Sequence, residues 1–209
     1  MMPLIVGGGL IVLLVVILLV VGIAASGAPP DPGTWKTFVE KDKQFTAQYP
    51  GGWTKPSNSG SSGSYVSVDF RASKLCWVQV QGTQKAGAMG DVAAAASRAA
   101  GGTVSVERSA EGAVLAGSTA SFTAQRPGFK QGTMKEVWDF GGSKAASAEY
   151  TYTKRVGLLP IKMKGIRWGA FKGDFGYVVF AEAPEKHWAK FQPVAQKIVS
   201  SVQFGGGTG

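Results

Sequence analysis

The sequence has one cysteine and one histidine in 209 residues, and these two shortages exclude the most chemistry. Cys76 alone cannot close an internal disulfide, and with only His187 beside it the chain lacks the ligand set of a thiolate zinc site. Nucleophilic hydrolysis needs a nucleophile, a base and an orienting group, so any histidine-based triad would rest entirely on His187. The run Gly60-Ser61-Ser62-Gly63 is not the G-x-S-x-G elbow. Gly141-Gly142-Ser143-Lys144 lacks the glycine-lysine-serine order of a phosphate loop, and neither an EF-hand loop nor a zinc-protease helix occurs. Thirteen acidic residues could pair in space, but no spacing nominates a pair. The expectation is a protein that is not an enzyme and carries no metal and no cofactor.

Charge is missing from the first stretch of the chain, where nothing ionisable on a side chain precedes Asp31. The excess of 22 lysines and arginines over 13 acids, a net +9, therefore belongs entirely to residues 31–209. A surplus of this sign attracts anionic partners without specifying a fold, and it is a weak argument for nucleic acid.

What fills the charge-free stretch is apolar. Pro3 to Ala25 reads PLIVGGGLIVLLVVILLVVGIAA, about 23 residues that as a helix reach ~34 Å, enough to cross a hydrocarbon layer of ~30 Å. Lipid offers the backbone no hydrogen bonds, so such a segment has to be helical. Ala24-Ala25-Ser26 resembles the cleavage site of a secretory signal, the rival reading. The lack of lysine or arginine ahead of the run, and its length, favour a retained signal anchor over residues 1–25 in contact with the bilayer through residues 3–25. Residues 26–33, SGAPPDPG, then form a stiff spacer. Lys36, Lys41 and Lys43 would favour a cytoplasmic domain if counted by the positive-inside rule, but they lie beyond that spacer and within an expected strand pair.

From residue 34 to 204 the patterning is that of a folded domain with many strands. Trp35 to Val39 and Gln44 to Tyr49 form a hairpin with Phe45, Ala47 and Tyr49 on its buried face. In YPGGW, residues 49–53, Pro50 fixes its own φ and Gly51-Gly52 supply left-handed backbone to reverse the chain. Residues 55–64, KPSNSGSSGS, read as a mobile polar loop. Val66, Val68 and Phe70, then Cys76, Val78 and Val80, alternate with polar neighbours and mark two deep strands, which makes Cys76 a core residue. Asp91 can cap a helix over 92–100, and strands are expected at 103–108, 117–125, 135–140, 148–155, 161–171 and 175–183. Pro184 can open a final helix with the stripe Trp188, Phe191, Ala195, Ile198 and Val202, which Pro193 should kink or restart. Residues 202–204 suit a short last strand, and 205–209 a flexible tail.

These features in this order, YPGGW, the pair VSVDF and WVQVQ, a small helix, LAGSTASF and the closing YVVFAEA…FQPVAQKIVSSVQF, resemble the PsbP/Mog-like family. The resemblance implies an α+β domain, an α/β/α sandwich with a mainly antiparallel sheet. It also implies that Trp53 plugs the core and that Leu115 to Ala120 lie inside the sheet.

Two surfaces are candidates for contact. Leu158 and Leu159 form an apolar pair in an expected loop, and Phe129 sits in a similar position, so these three are the candidate contacts for a protein partner. Lys162, Lys164, Arg167 and Trp168 belong to the densest basic and aromatic stretch and are the candidates for an anionic surface, lipid or nucleic acid. The leading expectation is a non-catalytic, single-pass, membrane-tethered binding or assembly module at a cytoplasmic-type membrane, and the resemblance, against the charge count, implies that its domain lies on the outer side. An anionic-surface binding domain is the alternative and an enzyme the third reading.

Overall fold

The structure, a computed structural model, describes residues 29, 31–42, 44–62, 65–84, 109–172 and 175–204. The apolar segment 3–25, half of the spacer (26–28 and 30), the helix expected at 92–100, the strand expected at 103–108 and the tail 205–209 lie outside the described residues. Among the described residues no helix is long and apolar enough to cross a membrane.

Among the described residues all strand pairs are antiparallel. A small sheet has the order β1-β2-β11, from β1 (Trp35–Val39), β2 (Phe45–Pro50) and β11 (Gln203–Phe204). The large one runs β3-β4-β5-β10-β9-β8-β6, with β7 also paired to β8. Its strands are β3 (Thr54–Ser62), β4 (Tyr65–Arg71), β5 (Trp77–Gln84), β6 (Lys130–Gln131), β7 (Lys135–Phe140), β8 (Ser143–Val156), β9 (Leu159–Lys172) and β10 (Phe175–Pro184). Helices α1 (Ala110–Gly117) and α2 (Thr119–Ala124) lie on one face, and α3 (Trp188–Ser200) on the other after a 3-10 turn at Glu185–His187.

The main core lies between the large sheet and α3. Val66, Val68, Phe70, Val78, Val80, Val179, Ala181 and Trp168 meet Phe191, Ala195, Ile198 and Val199, and Cys76 is buried with them. Trp53 does plug this core, its ring stacked on Phe191 with centroids 5.9 Å apart. The turn that places it works differently from expectation, because neither Gly51 nor Gly52 is left-handed. Gly51 is required by proximity: its amide donates to Thr34 O at 2.6 Å, and a Cβ there would stand 2.8 Å from the same oxygen.

Three further expectations are corrected. Residues 54–62 are the edge strand β3, since an edge needs only backbone pairing on one side, here with β4 through two register shifts; Pro56 is tolerated there. Residues 117–125 are not a strand, and Leu115 to Ala120 are the end of α1 and the start of α2. Ser109 caps α1 by accepting the Gly112 amide at 3.0 Å, and Gly169 on β9 lets the helix backbone sit on the sheet, since a Cβ there would be 2.7 Å from Glu111 O. Finally, α3 runs through Pro193 in one 13-residue stretch without restarting.

Candidate functional site

Antiparallel register decides which side chains share a face. On β9, Ile161, Met163, Gly165, Arg167 and Gly169 point towards α1 and α2, whereas Lys162, Lys164, Ile166 and Trp168 point the other way. The row Trp77, Glu182, Gly165, Tyr150 crosses β5, β10, β9 and β8 on the helix side.

Glu182 is the centre of that row, only 1% exposed. Its Oε1 accepts from Trp77 Nε1 at 2.8 Å and from Tyr152 OH at 2.8 Å. Its Oε2 accepts from Tyr150 OH at 3.2 Å and from Arg126 Nε and Nη2 at 3.3 and 3.2 Å. Arg126 comes from the residues following α2, donates also to Phe122 O, and lies over the Phe122 ring at 3.5 Å. Burial, then the Glu182 charge, raises both tyrosine hydroxyls well above their ordinary range. Gly165 makes this possible: a Cβ on it would meet the Tyr150 ring at 2.3 Å and Ala181 O at 2.6 Å.

Beside this cluster is a cleft of about 460 Å³ lined by Trp77, Gln79, Gln81, Gln125, Arg126 and Lys154 among others. Its sheet wall is prearranged, with Gln81 Nε2 donating to Gln79 Oε1 at 2.8 Å, Gln79 Nε2 to Asp69 Oδ1 at 2.7 Å and Asp69 paired with Arg71. Under the helices, Arg167 is fully buried and donates to Thr119 Oγ1 at 3.0 Å and to Gln131 Oε1. Burial pulls its guanidinium down to about 10, and the rings of Phe122 and Phe129 flank it at 4.9 and 5.6 Å. With donors to Glu182 drawn from β5, from β8 and from Arg126 just after α2, the cluster pins α2 to the sheet.

The residues expected to form an anionic-surface strip are not brought together. Arg167 is buried beneath α2, and Trp168 is buried on the opposite face in the main core. Lys164 is paired with Glu149 at 3.1 Å and lies 5.9 Å from the Trp188 ring, leaving Lys162 exposed. The physical reason is the strand period of two, which sends residues 167 and 168 to different sides. Of the three apolar candidates, Phe129 is half-buried against Phe122 and Tyr150, while Leu158 is 98% exposed in the turn joining β8 to β9 and Leu159, the first residue of β9, is 38% exposed. His187 ends the 3-10 turn, its imidazole held below the ordinary value by burial and then by Lys186 and Lys190. Sequence reasoning passed over Glu182 and Trp138. Glu182 is signalled as the one acid inside the apolar run from Tyr177 to Ala183. Trp138 is 66% exposed on β7, whereas the other five tryptophans are buried or half-buried.

No family model matches the sequence, and no curated protein matches it. Solved structures are similar in fold. The solution structure of cyanobacterial PsbP (CyanoP) from Synechocystis sp. PCC 6803 covers 86% of this chain and 98% of its own, at 14% identity and a TM-score of 0.54. A crystal structure from Bacteroides thetaiotaomicron covers 83% of this chain at 11% identity and a TM-score of 0.51, and this chain spans only 50% of it. The Saccharomyces cerevisiae Ran-binding protein Mog1p covers 82% of this chain and 95% of its own at 8% identity, and its TM-score of 0.48 adds nothing to the assignment. By its layers, its antiparallel pairing and its likeness to CyanoP, the chain has the α+β PsbP/Mog-like fold.

Proposed function

We propose that the protein is a non-catalytic binding module for a protein partner, held at a cytoplasmic-type membrane by the apolar segment 3–25 with its domain on the outer side. The observation that carries the non-catalytic reading is Glu182. It is the carboxylate of the cleft among the described residues, and both of its oxygens are committed to five donors, so it serves to hold α2 on the sheet. Tyr150 and Tyr152, with hydroxyls raised above their ordinary range and donating to that carboxylate, belong to the same structural unit. Binding is supported by Trp138, which a fold that buries or half-buries its other tryptophans leaves in solvent on a strand paired on one side to β8. Tryptophan anchors are enriched at interface hot spots.

Photo-crosslinking from position 138 in intact membranes tests the reading. A discrete adduct that recurs between preparations, and is lost when the crosslinker is moved to exposed Lys55 on β3, is the expected outcome. Only diffuse adducts from both positions would refute it. Membrane side is tested separately by labelling a cysteine placed at Lys74, exposed in the β4–β5 turn. Outward placement predicts labelling in intact cells, and labelling only after lysis reverses it.

A further inference from the structure

The turn between β8 and β9 has a composition that the sandwich does not need. Leu158 is 98% exposed and Leu159 38%, and Gly157 turns the chain with a φ of 60°. Behind the leucines the paired rows are Arg155 with Pro160, Lys154 with Ile161 and Thr153 with Lys162. Arg155 and Lys162 are exposed and Lys154 is half-exposed. Lys130 adds a further exposed cation where β6 pairs with Thr151. From Tyr150 to Met163 the sequence contains no acid, so an apolar tip is followed by an uninterrupted basic collar.

The register places this tip relative to the start of the domain. Thr54, Arg71, Trp77, Glu182, Gly165 and Tyr150 form one row across the large sheet. Just before Thr54, Gly51 and Gly52 sit against the first described residues, with Asp31 O 3.8 Å from where a Gly52 Cβ would be and Thr34 O bonded to Gly51 N. β9 continues past that row on the same side for six residues, from Gly165 to Leu159, about 20 Å of strand. The described chain therefore begins at the end of the sheet from which the hairpin projects.

We propose that the β8–β9 tip is a lipid-binding element, with Leu158 and Leu159 entering the interfacial region of an anionic bilayer and Lys154, Arg155 and Lys162 contacting the headgroups. The assignment to lipid in preference to protein rests on this composition and on direction. Exposed leucines gain by leaving water, cations beside an anionic leaflet gain from its surface potential, and the tip lies on the side where an anchored chain would meet the bilayer. The directional part rests on the proposed tether; the composition stands without it.

The test uses the full chain in vesicles, with Leu159→Cys carrying an environment-sensitive dye; Cys76, fully buried, stays unlabelled in the native protein. In phosphatidylcholine vesicles containing phosphatidylglycerol the dye should shift to the blue and be quenched by nitroxide lipids. The same dye on Lys172→Cys, exposed at the far end of β9, should remain in water. Replacing Lys154, Arg155 and Lys162 with glutamine should cut the partition of the tip roughly a hundredfold, about fivefold per cation. A tip dye that stays in water in anionic vesicles overturns the proposal, as does one that shifts only when membrane proteins are added, which would assign the tip to a protein. Flotation in high salt separates the two readings: a chain that floats with anionic vesicles in low salt but is released in high salt keeps the lipid-binding tip and loses the tether.

Discussion

Replacing Gly165 with alanine should be among the most damaging single-methyl additions to this protein. The new Cβ would stand 2.3 Å from Tyr150 Cζ, 2.5 Å from its hydroxyl and 2.6 Å from Ala181 O. The tyrosine can move, but the backbone oxygen belongs to the neighbouring strand β10 and cannot move without spreading the sheet. Overpacking of this kind costs ~1–3 kcal/mol. Displacing Tyr150 also removes its bond to Glu182, a hydrogen bond to a charged group of about 1.5–3 kcal/mol. Together these come to roughly 3–5 kcal/mol, or a fall in Tm of roughly 6–20 °C for a domain of this size. Thermal unfolding followed by near-ultraviolet circular dichroism reads it directly. Tyr150→Phe should lose only the hydrogen-bond part, and Gly117→Ala, where a Cβ meets nothing within 4 Å, should leave Tm unchanged or slightly raised. A Gly165→Ala protein melting within a degree or two of the parent would refute the account of how the Glu182 cluster is assembled.

The same cluster makes the fold sensitive to alkali. Tyr150 and Tyr152 are raised by burial and by Glu182, and Tyr177 is pushed up to about 12 by burial and by Glu40. Their protonated forms are favoured in the fold, so the stability they contribute is full below an unfolded value of about 10 and is lost as pH rises through the raised folded values. The denaturant midpoint should fall between about pH 9 and about pH 11, and fall less in Tyr152→Phe; an unchanged midpoint contradicts the assignment. Cys76 is fully buried, which pushes its thiol up to about 11, so a thiol reagent should react with it only on unfolding, with a rate that follows denaturant. Rapid reaction in the native protein would show that the strand pair β4–β5 does not bury it.

Most of the strands were legible in the sequence because a period of two is a local property. Val66, Val68 and Phe70 show their buried face without reference to any other strand, and so do the β1–β2 hairpin and the stripe on α3. Two segments escaped for opposite reasons. β3 is polar because an edge strand needs only a backbone partner, and that partner, β4, supplies the order. The run around Leu115 is small and apolar enough for a strand, but Ser109 caps a helix there and Gly169, more than fifty residues away, leaves the hollow it fills.

The candidate site was less legible still, because its meaning depends on partners far apart in the chain. The sequence by itself determined the chemistry left to the protein: one thiol, one imidazole, a basic domain and a long apolar segment ahead of it. It also determined that Leu158 would lie in a turn, although Leu159 opens β9. Tertiary structure alone decided that Glu182 would be consumed by four side chains, that Arg167 and Trp168 would both be buried, and that Phe129 would be half-covered while Leu158 stayed in water. Periodicity fixes which residues share a face, but only the register between strands fixes what that face meets.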